Sequence, residues 1–279
     1  MISQFLPTNF DKNKKIGLIA GRGNYPLIVL NRLQEKQLSI RLLAFEDETP
    51  STVWECFGGN ERAIQHVGQI GKLLKNIEKF DLGYILMAGQ ITPKKLFKGL
   101  NPDLKALSLL VKLKEKNAES IFGTLAVEIE KAGAELLDAR SFLDDQLAEK
   151  EVMTGGKLAI NSNVIEHGIR MAKAVADLNI GQGIVVSKGT VLAVEAFEGT
   201  DKMLARAGEF KAKEAVFIKT VKPNQDYRFD VPVFGMQTVE AMMAAEIQYA
   251  GLEAGKVIML EKDKTIEAAR KQGIVLFGY

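Results

Sequence analysis

One cysteine, Cys56, and two histidines, His66 and His167, are the only thiol and imidazole side chains among 279 residues. A single thiol closes no disulfide within the chain. Two widely separated imidazoles, neither near the cysteine, lack the spacing of a zinc site. Any metal would be a hard cation such as Mg2+ or Mn2+, held by carboxylates and phosphate oxygens. Charge of one sign is also missing, with 37 basic against 35 acidic residues, so no global field gathers nucleic acid. No apolar run approaches the roughly 18 residues needed to span a bilayer, which leaves only peripheral membrane contact. The first residues lack a basic region followed by an apolar stretch, and a reducing cytoplasm is the expected compartment.

What is present is a chain long enough for two domains, since single domains run to roughly 100 to 200 residues. Short apolar runs at Ile16–Ala20, Ile40–Phe45 and Tyr84–Met87 alternate with helix-length segments, which predicts parallel βαβ units in an α/β fold. The pattern weakens between Asp138 and Gly156, so the division is expected after residue 137, giving domains 1–137 and 138–279. In the second half Gln182–Lys188 and Val191–Ala196 read as strands joined by a glycine turn, Lys188-Gly189-Thr190. Helices are expected near Ser162–Leu178, Lys202–Gly208 and Thr238–Ala250, with a strand at Ala215–Val221 and a final strand reaching Tyr279. Asp103–Lys116 reads as a basic amphipathic helix, suited to docking on its own core or to meeting acyl chains or anionic headgroups.

Several constellations could carry chemistry. Gly21-Arg22-Gly23 lies at a strand-to-helix turn, where backbone amides can meet an anion or simply close a tight turn. A dinucleotide fingerprint would need a third glycine where Pro26 stands, and no P-loop lysine follows, although Glu46 and Asp47 lie where a ribose-binding acid would be sought. Glu195, Asp201, Asp226 and Asp230 fall at element ends, as a carboxylate-metal site requires, although caps and separate ion pairs use acids in the same way. Thr200 or Asp201 can cap the helix that follows. Lys222, directly after a strand, is either a phosphate partner or a solvated lysine. Between residues 220 and 235, Asp226, Arg228 and Asp230 alternate with Tyr227, Phe229 and Val231. An extended backbone would put the three charges on one face, either as a binding face or as an edge strand with an exposed ion pair.

Gly17–Leu27, the Gly181-Gln182-Gly183 run, Val191–Asp201 and Lys222–Pro232 together resemble the LpxI family, metal-dependent UDP-2,3-diacylglucosamine pyrophosphatases of lipid A biosynthesis. The resemblance covers almost the whole chain. It implies two α/β domains joined by a linker, with substrate bound between them. The implied reaction is hydrolysis to UMP and 2,3-diacylglucosamine 1-phosphate (lipid X), with water reaching the phosphorus on the sugar side. It also implies Asp226, Asp230 and Arg228 as catalytic residues, and Asp226, Asp230, Glu195 and Asp201 as ligands of Mg2+ or Mn2+. Gly21, Gly23, Asn24, Lys222 and Thr200 would contact substrate, and the Asp103–Lys116 helix would lie near the acyl chains. The implied partners are a lipid-linked UDP-sugar and the inner face of the bacterial inner membrane, with no nucleic acid and with a homodimer left open. One departure stands at Asn117-Ala118-Glu119-Ser120, where an acidic pair is expected and a single carboxylate remains. The competing readings are a non-enzymatic UDP-sugar or lipid-binding protein and a nucleotide-dependent oxidoreductase or transferase.

Overall fold

The structure, a computed structural model, describes residues 2–91, 102–113 and 118–279. The end of the expected basic helix (Lys114, Lys116) and Asn117 lie outside these residues, as does the side chain of Ala118. The chain divides into two compact units: Met1–Asp144 with Asp226–Asp230, and Asp145–Gln225 with Val231–Tyr279. The division was expected after residue 137. The structure carries the first unit on to Asp144, because Phe142 and Leu143 are buried, and lends it five residues from the second half of the sequence.

In the first unit, strands β1 (Lys15–Ala20), β2 (Ile40–Phe45), β3 (Arg62–Gln65), β4 (Leu82–Ala88) and β5 (Glu135–Leu136) form one sheet in the order β3-β2-β1-β4-β5. Every pair is parallel, as the strand-helix alternation predicts. Helix α1 (Tyr25–Glu35) opens with Pro26 in its first turn, where a missing N–H costs nothing, and buries Val29, Leu30 and Leu33. Helices α2 (Ser51–Trp54) and α3 (Ile70–Phe80) follow, the latter ending at Asp81 in a left-handed conformation. Helix α4 (Leu104–Lys112) starts at Asp103, whose carboxylate accepts from Ala106 N at 2.9 Å and from Gly71 N at 2.7 Å, tying the starts of α3 and α4 together. Ala106 and Leu109 are buried while Leu104 and Val111 are exposed. Helix α5 (Ala118–Lys131) packs Leu125, Ala126 and Ile129 into a core shared with Ile19, Leu43, Ile77 and Ile85.

The second unit holds a mixed six-stranded sheet in the order β6-β13-β11-β9-β7-β8. Its strands are β6 (Glu151–Val152), β7 (Gly183–Ser187), β8 (Thr190–Val194), β9 (Val216–Lys219), β11 (Tyr249–Leu252) and β13 (Val275–Gly278); β10 (Val233–Phe234) and β12 (Ile258–Met259) pair separately. β7 and β8 form the predicted hairpin, with Ser187 opposite Thr190. Lys188 (φ 47°) and Gly189 (φ 82°) both take positive φ, as a turn matching strand twist requires. Side chains alternate across the sheet: Ile184, Val186, Val216 and Ile218 pack under helix α6 (Ser162–Asp177), while Val185 and Phe217 face the opposite core. That core is closed by helices α7 (Thr200–Gly208), α8 (Met236–Ala244) and α9 (Lys262–Lys271). Among the described residues no helix is long and apolar enough to cross a membrane.

Candidate functional site

The charged segment after β9 is not the expected strand. Tyr227–Phe229 form a turn, with Asp230 N donating to Asp226 O at 2.9 Å. The cause is local: Asp226 Oδ1 accepts from the Arg228 backbone N–H at 3.1 Å, and such a side-chain bond competes with strand pairing. The Arg228 guanidinium then folds back onto the same carboxylate, Nε to Oδ1 at 2.9 Å and an N–H of Nη2 to Oδ2 at 2.8 Å. A third N–H, on Nη1, goes to Glu130 Oε1 at 2.8 Å. The Arg228 bonds hold the Asp226 carboxyl below its ordinary range, and the same bonds raise the arginine. Asp226 therefore rests ionised.

Apolar contacts fix the same turn in the first unit. The Phe229 ring stacks on Phe122 of α5 at 6.0 Å and joins the core below the sheet, and Tyr227 O accepts from Ala139 N at 2.9 Å. Asp226, Arg228 and Asp230 are thus brought together, with Glu130 as an unforeseen member. Arg228 gives its side-chain donors to two carboxylates, Asp226 and Glu130. A single glutamate on a polar helix face gives no signal that would have selected Glu130.

The Gly21-Arg22-Gly23 turn follows β1 where strand order reverses, between β1 and β4. The amides of Gly21 and Arg22 donate to Ala88 O at 2.8 Å and Gln90 O at 2.7 Å, so the backbone of the β4 turn already engages them. A Cβ at Gly21 would lie 2.5 Å from Gln90 O, which makes close backbone approach the reason for this glycine. Gly23 (φ 85°) has open space where a Cβ would be, and Asn24 precedes α1 without a side-chain capping bond. The acid buried at the end of β2 is Glu48, while Glu46 pairs with His66 at 3.2 Å on the surface.

In the second unit Glu195 and Thr200 meet, joined by Lys219, which is not among the expected site residues. Lys219, the last residue of β9, is 5 % exposed and donates from Nζ to Thr200 Oγ1 at 3.0 Å, with Glu195 Oε2 at 3.6 Å. Thr200 in turn donates to Glu195 Oε1 at 2.5 Å. Glu195 Oε2 is buried without a hydrogen bond. A lysine closing an otherwise apolar strand is the signal that could have found this group. The Gly181-Gln182-Gly183 run gains a physical meaning here: a Cβ at Gly181 would lie 2.0 Å from Glu195 O, and one at Gly183 2.6 Å from Glu195 Oε2. Asp201 sits in the first turn of α7, where a negative charge complements the helix dipole. The Lys222 backbone N–H donates to Gln225 Oε1 at 2.9 Å, bracing the loop that leads to Asp226.

Of the four expected metal ligands, Asp226 and Asp230 belong to the first unit and Glu195 and Asp201 to the second. Among the described residues no three His, Cys, Asp or Glu side chains gather to hold an ion, and Glu195 already faces an ammonium. Asp226 differs: Oδ1 accepts two N–H groups and Oδ2 only one, leaving a lone pair on a carboxylate oxygen. That fits a Mg2+ carried chiefly by substrate phosphates and waters, which needs only one or two protein carboxylates.

Comparison with known proteins follows the same two-part plan. The model of the LpxI N-terminal domain matches residues 15–146 and that of the LpxI C-terminal domain matches residues 149–277, so the chain is a two-domain α/β hydrolase. A UDP-2,3-diacylglucosamine pyrophosphatase LpxI of Caulobacter vibrioides is 30% identical over 287 residues, spanning 95% of this chain and 97% of that protein. The chain belongs to the LpxI family.

Proposed function

We propose that this protein hydrolyses UDP-2,3-diacylglucosamine to UMP and 2,3-diacylglucosamine 1-phosphate within lipid A biosynthesis. The observation carrying this reading is the 30% identity across both domains to a relative named for that pyrophosphatase activity. Water attacks the phosphorus on the sugar side. The bond from that phosphorus to the bridging oxygen breaks, UMP leaves with the bridging oxygen, and the water oxygen stays on the sugar phosphate. A pyrophosphate is a stable anion, so the step needs neutralised charge and an oriented water.

Asp226 is the residue assigned to the reaction centre. Arg228, itself held by Glu130, fixes its carboxylate, and Asp230 follows on the next turn of backbone. Asp226 and Asp230 would hold Mg2+ or Mn2+, which would supply Lewis-acid charge neutralisation. Lys222 meets phosphate, and Gly23 and Asn24 contact substrate from the first unit. The protein works in the cytoplasm, touching the membrane peripherally, with α4 and its exposed Leu104 and Val111 on the acyl side.

Purified protein given UDP-2,3-diacylglucosamine, Mg2+ and 18O-water tests this reading. UMP should appear with the label in 2,3-diacylglucosamine 1-phosphate, and Asp226→Asn should lose most of the rate. Label in UMP would overturn the site of attack, and no UMP from folded protein would overturn the activity.

A further inference from the structure

The first unit contains the Asp-x-Arg geometry twice. In Asp138-Ala139-Arg140 the Arg140 backbone N–H donates to Asp138 Oδ1 at 2.8 Å, Nε to Oδ1 at 3.0 Å, and Nη2 to Oδ2 at 2.6 Å. This is the arrangement that Arg228 makes with Asp226. The two copies touch at Tyr227, the residue after Asp226. The Arg140 guanidinium carbon lies 3.5 Å from the Tyr227 ring centroid, with the Phe5 ring at 4.3 Å. Ala139, between Asp138 and Arg140, donates its N–H to Tyr227 O, and its own carbonyl accepts from Tyr25 Oη at 2.7 Å.

We propose that Arg140, oriented by Asp138, is a positioning residue for Asp226, acting through the Tyr227 ring and the Ala139–Tyr227 backbone bond. The physical case is geometric. A guanidinium plane fixed by a carboxylate fork can stack on an aromatic face without losing further freedom, and a lysine could reproduce neither the fork nor the stack. Tyr227 is thereby held on its ring and its backbone at once. Its neighbour Asp226 inherits that position, while Phe229 and Glu130 hold the other side of the turn. Arg140 bonds Asp138 and stacks on Tyr227, and through Tyr227 it acts on Asp226.

The inference rests on the reading that Asp226 works in pyrophosphate hydrolysis, and the test separates the two. UMP release is measured for wild type, Asp226→Asn, Arg140→Met, Tyr227→Leu, Tyr227→Phe and the Arg140→Met/Tyr227→Leu pair, with folding followed by circular dichroism. Misplacement of a reacting group by about 1 Å costs on the order of 100-fold, so kcat in Arg140→Met should fall about 10- to 100-fold with KM little changed. Tyr227→Phe, which keeps the ring, should recover most of the rate lost in Tyr227→Leu. The double variant should be no worse than the poorer single one, because both break the same link. A folded Arg140→Met at wild-type kcat, or losses that multiply in the double variant, overturns the positioning role. If Arg140→Met does not fold, a Tyr227→Phe as slow as Tyr227→Leu overturns it instead. An Asp226→Asn variant at full rate defeats the reading on which it rests.

Discussion

Glu253 offers a quantitative test of how the second unit holds the root of the loop that leads from Thr220 to Asp226. Its side chain is 10% exposed and accepts from Lys173 Nζ at 2.5 Å, Thr220 Oγ1 at 2.7 Å and Val221 N at 3.0 Å, with Lys256 Nζ at 2.8 Å on its other oxygen. Burial alone would raise its pKa, but Lys173, Lys256, Thr220 and Val221 outweigh it and bring the group from 4.5 to about 2. The folded pKa lies below the unfolded one, so the stabilisation is present above pH 4.5 and is lost as pH falls towards 2. At neutral pH the shift corresponds to about 3 kcal/mol, and at pH 3.5 to about 2 kcal/mol. Glu253→Gln keeps the shape and removes the charge. Urea titration by circular dichroism should show that loss shrinking as the buffer is acidified. Hydrogen exchange at the Val221 amide should speed up. A difference below about 0.5 kcal/mol at neutral pH, or one that grows in acid, would refute the reasoning.

Lys219→Met should destabilise by about 3 to 5 kcal/mol in urea titrations by leaving the Glu195 carboxylate buried against an apolar chain, and adding Glu195→Gln should restore part of it. Gly183→Ala places a methyl against Glu195 Oε2 and the Phe217 ring, with an expected thermal-unfolding loss of about 1 to 3 kcal/mol. Arg228→Met removes the bonds that hold Asp226 low, so the acid limb of the rate profile should move to higher pH; a limb that stays in place counts against Asp226 as the group titrating there. Exhaustive chelation should stop UMP release and Mg2+ or Mn2+ restore it, while full activity after chelation speaks against a hard cation.

Much of the scaffold was legible because its signals are local. Ile16–Ala20 is an apolar run ended by glycine, Pro26 marks a helix start, and Lys188-Gly189 marks a hairpin; each appears where periodicity and turn chemistry put it. β3 escaped notice because Arg62-Ala63-Ile64-Gln65 has no clean period, being ordered by its pairing with β2. The Asp226–Asp230 segment misled for a physical reason. Alternation of charged and apolar residues suits a strand, but Asp at one position and Arg two residues on also permit a carboxylate fork closing a turn.

The amino-acid sequence by itself determined the α/β class, the family and the identity of the charged residues, because these depend on composition, short-range pattern and ordered motifs. Only the tertiary structure decided which residues those charges meet. It moved the Asp226 turn onto the first unit through Phe229, drew in Glu130 and Arg140 from elsewhere in the sequence, and buried Lys219 beside Glu195. Such partners lie far apart along the chain, and no local pattern encodes them. Packing brings them together where an ionised group needs a counter-charge or a donor once water is removed.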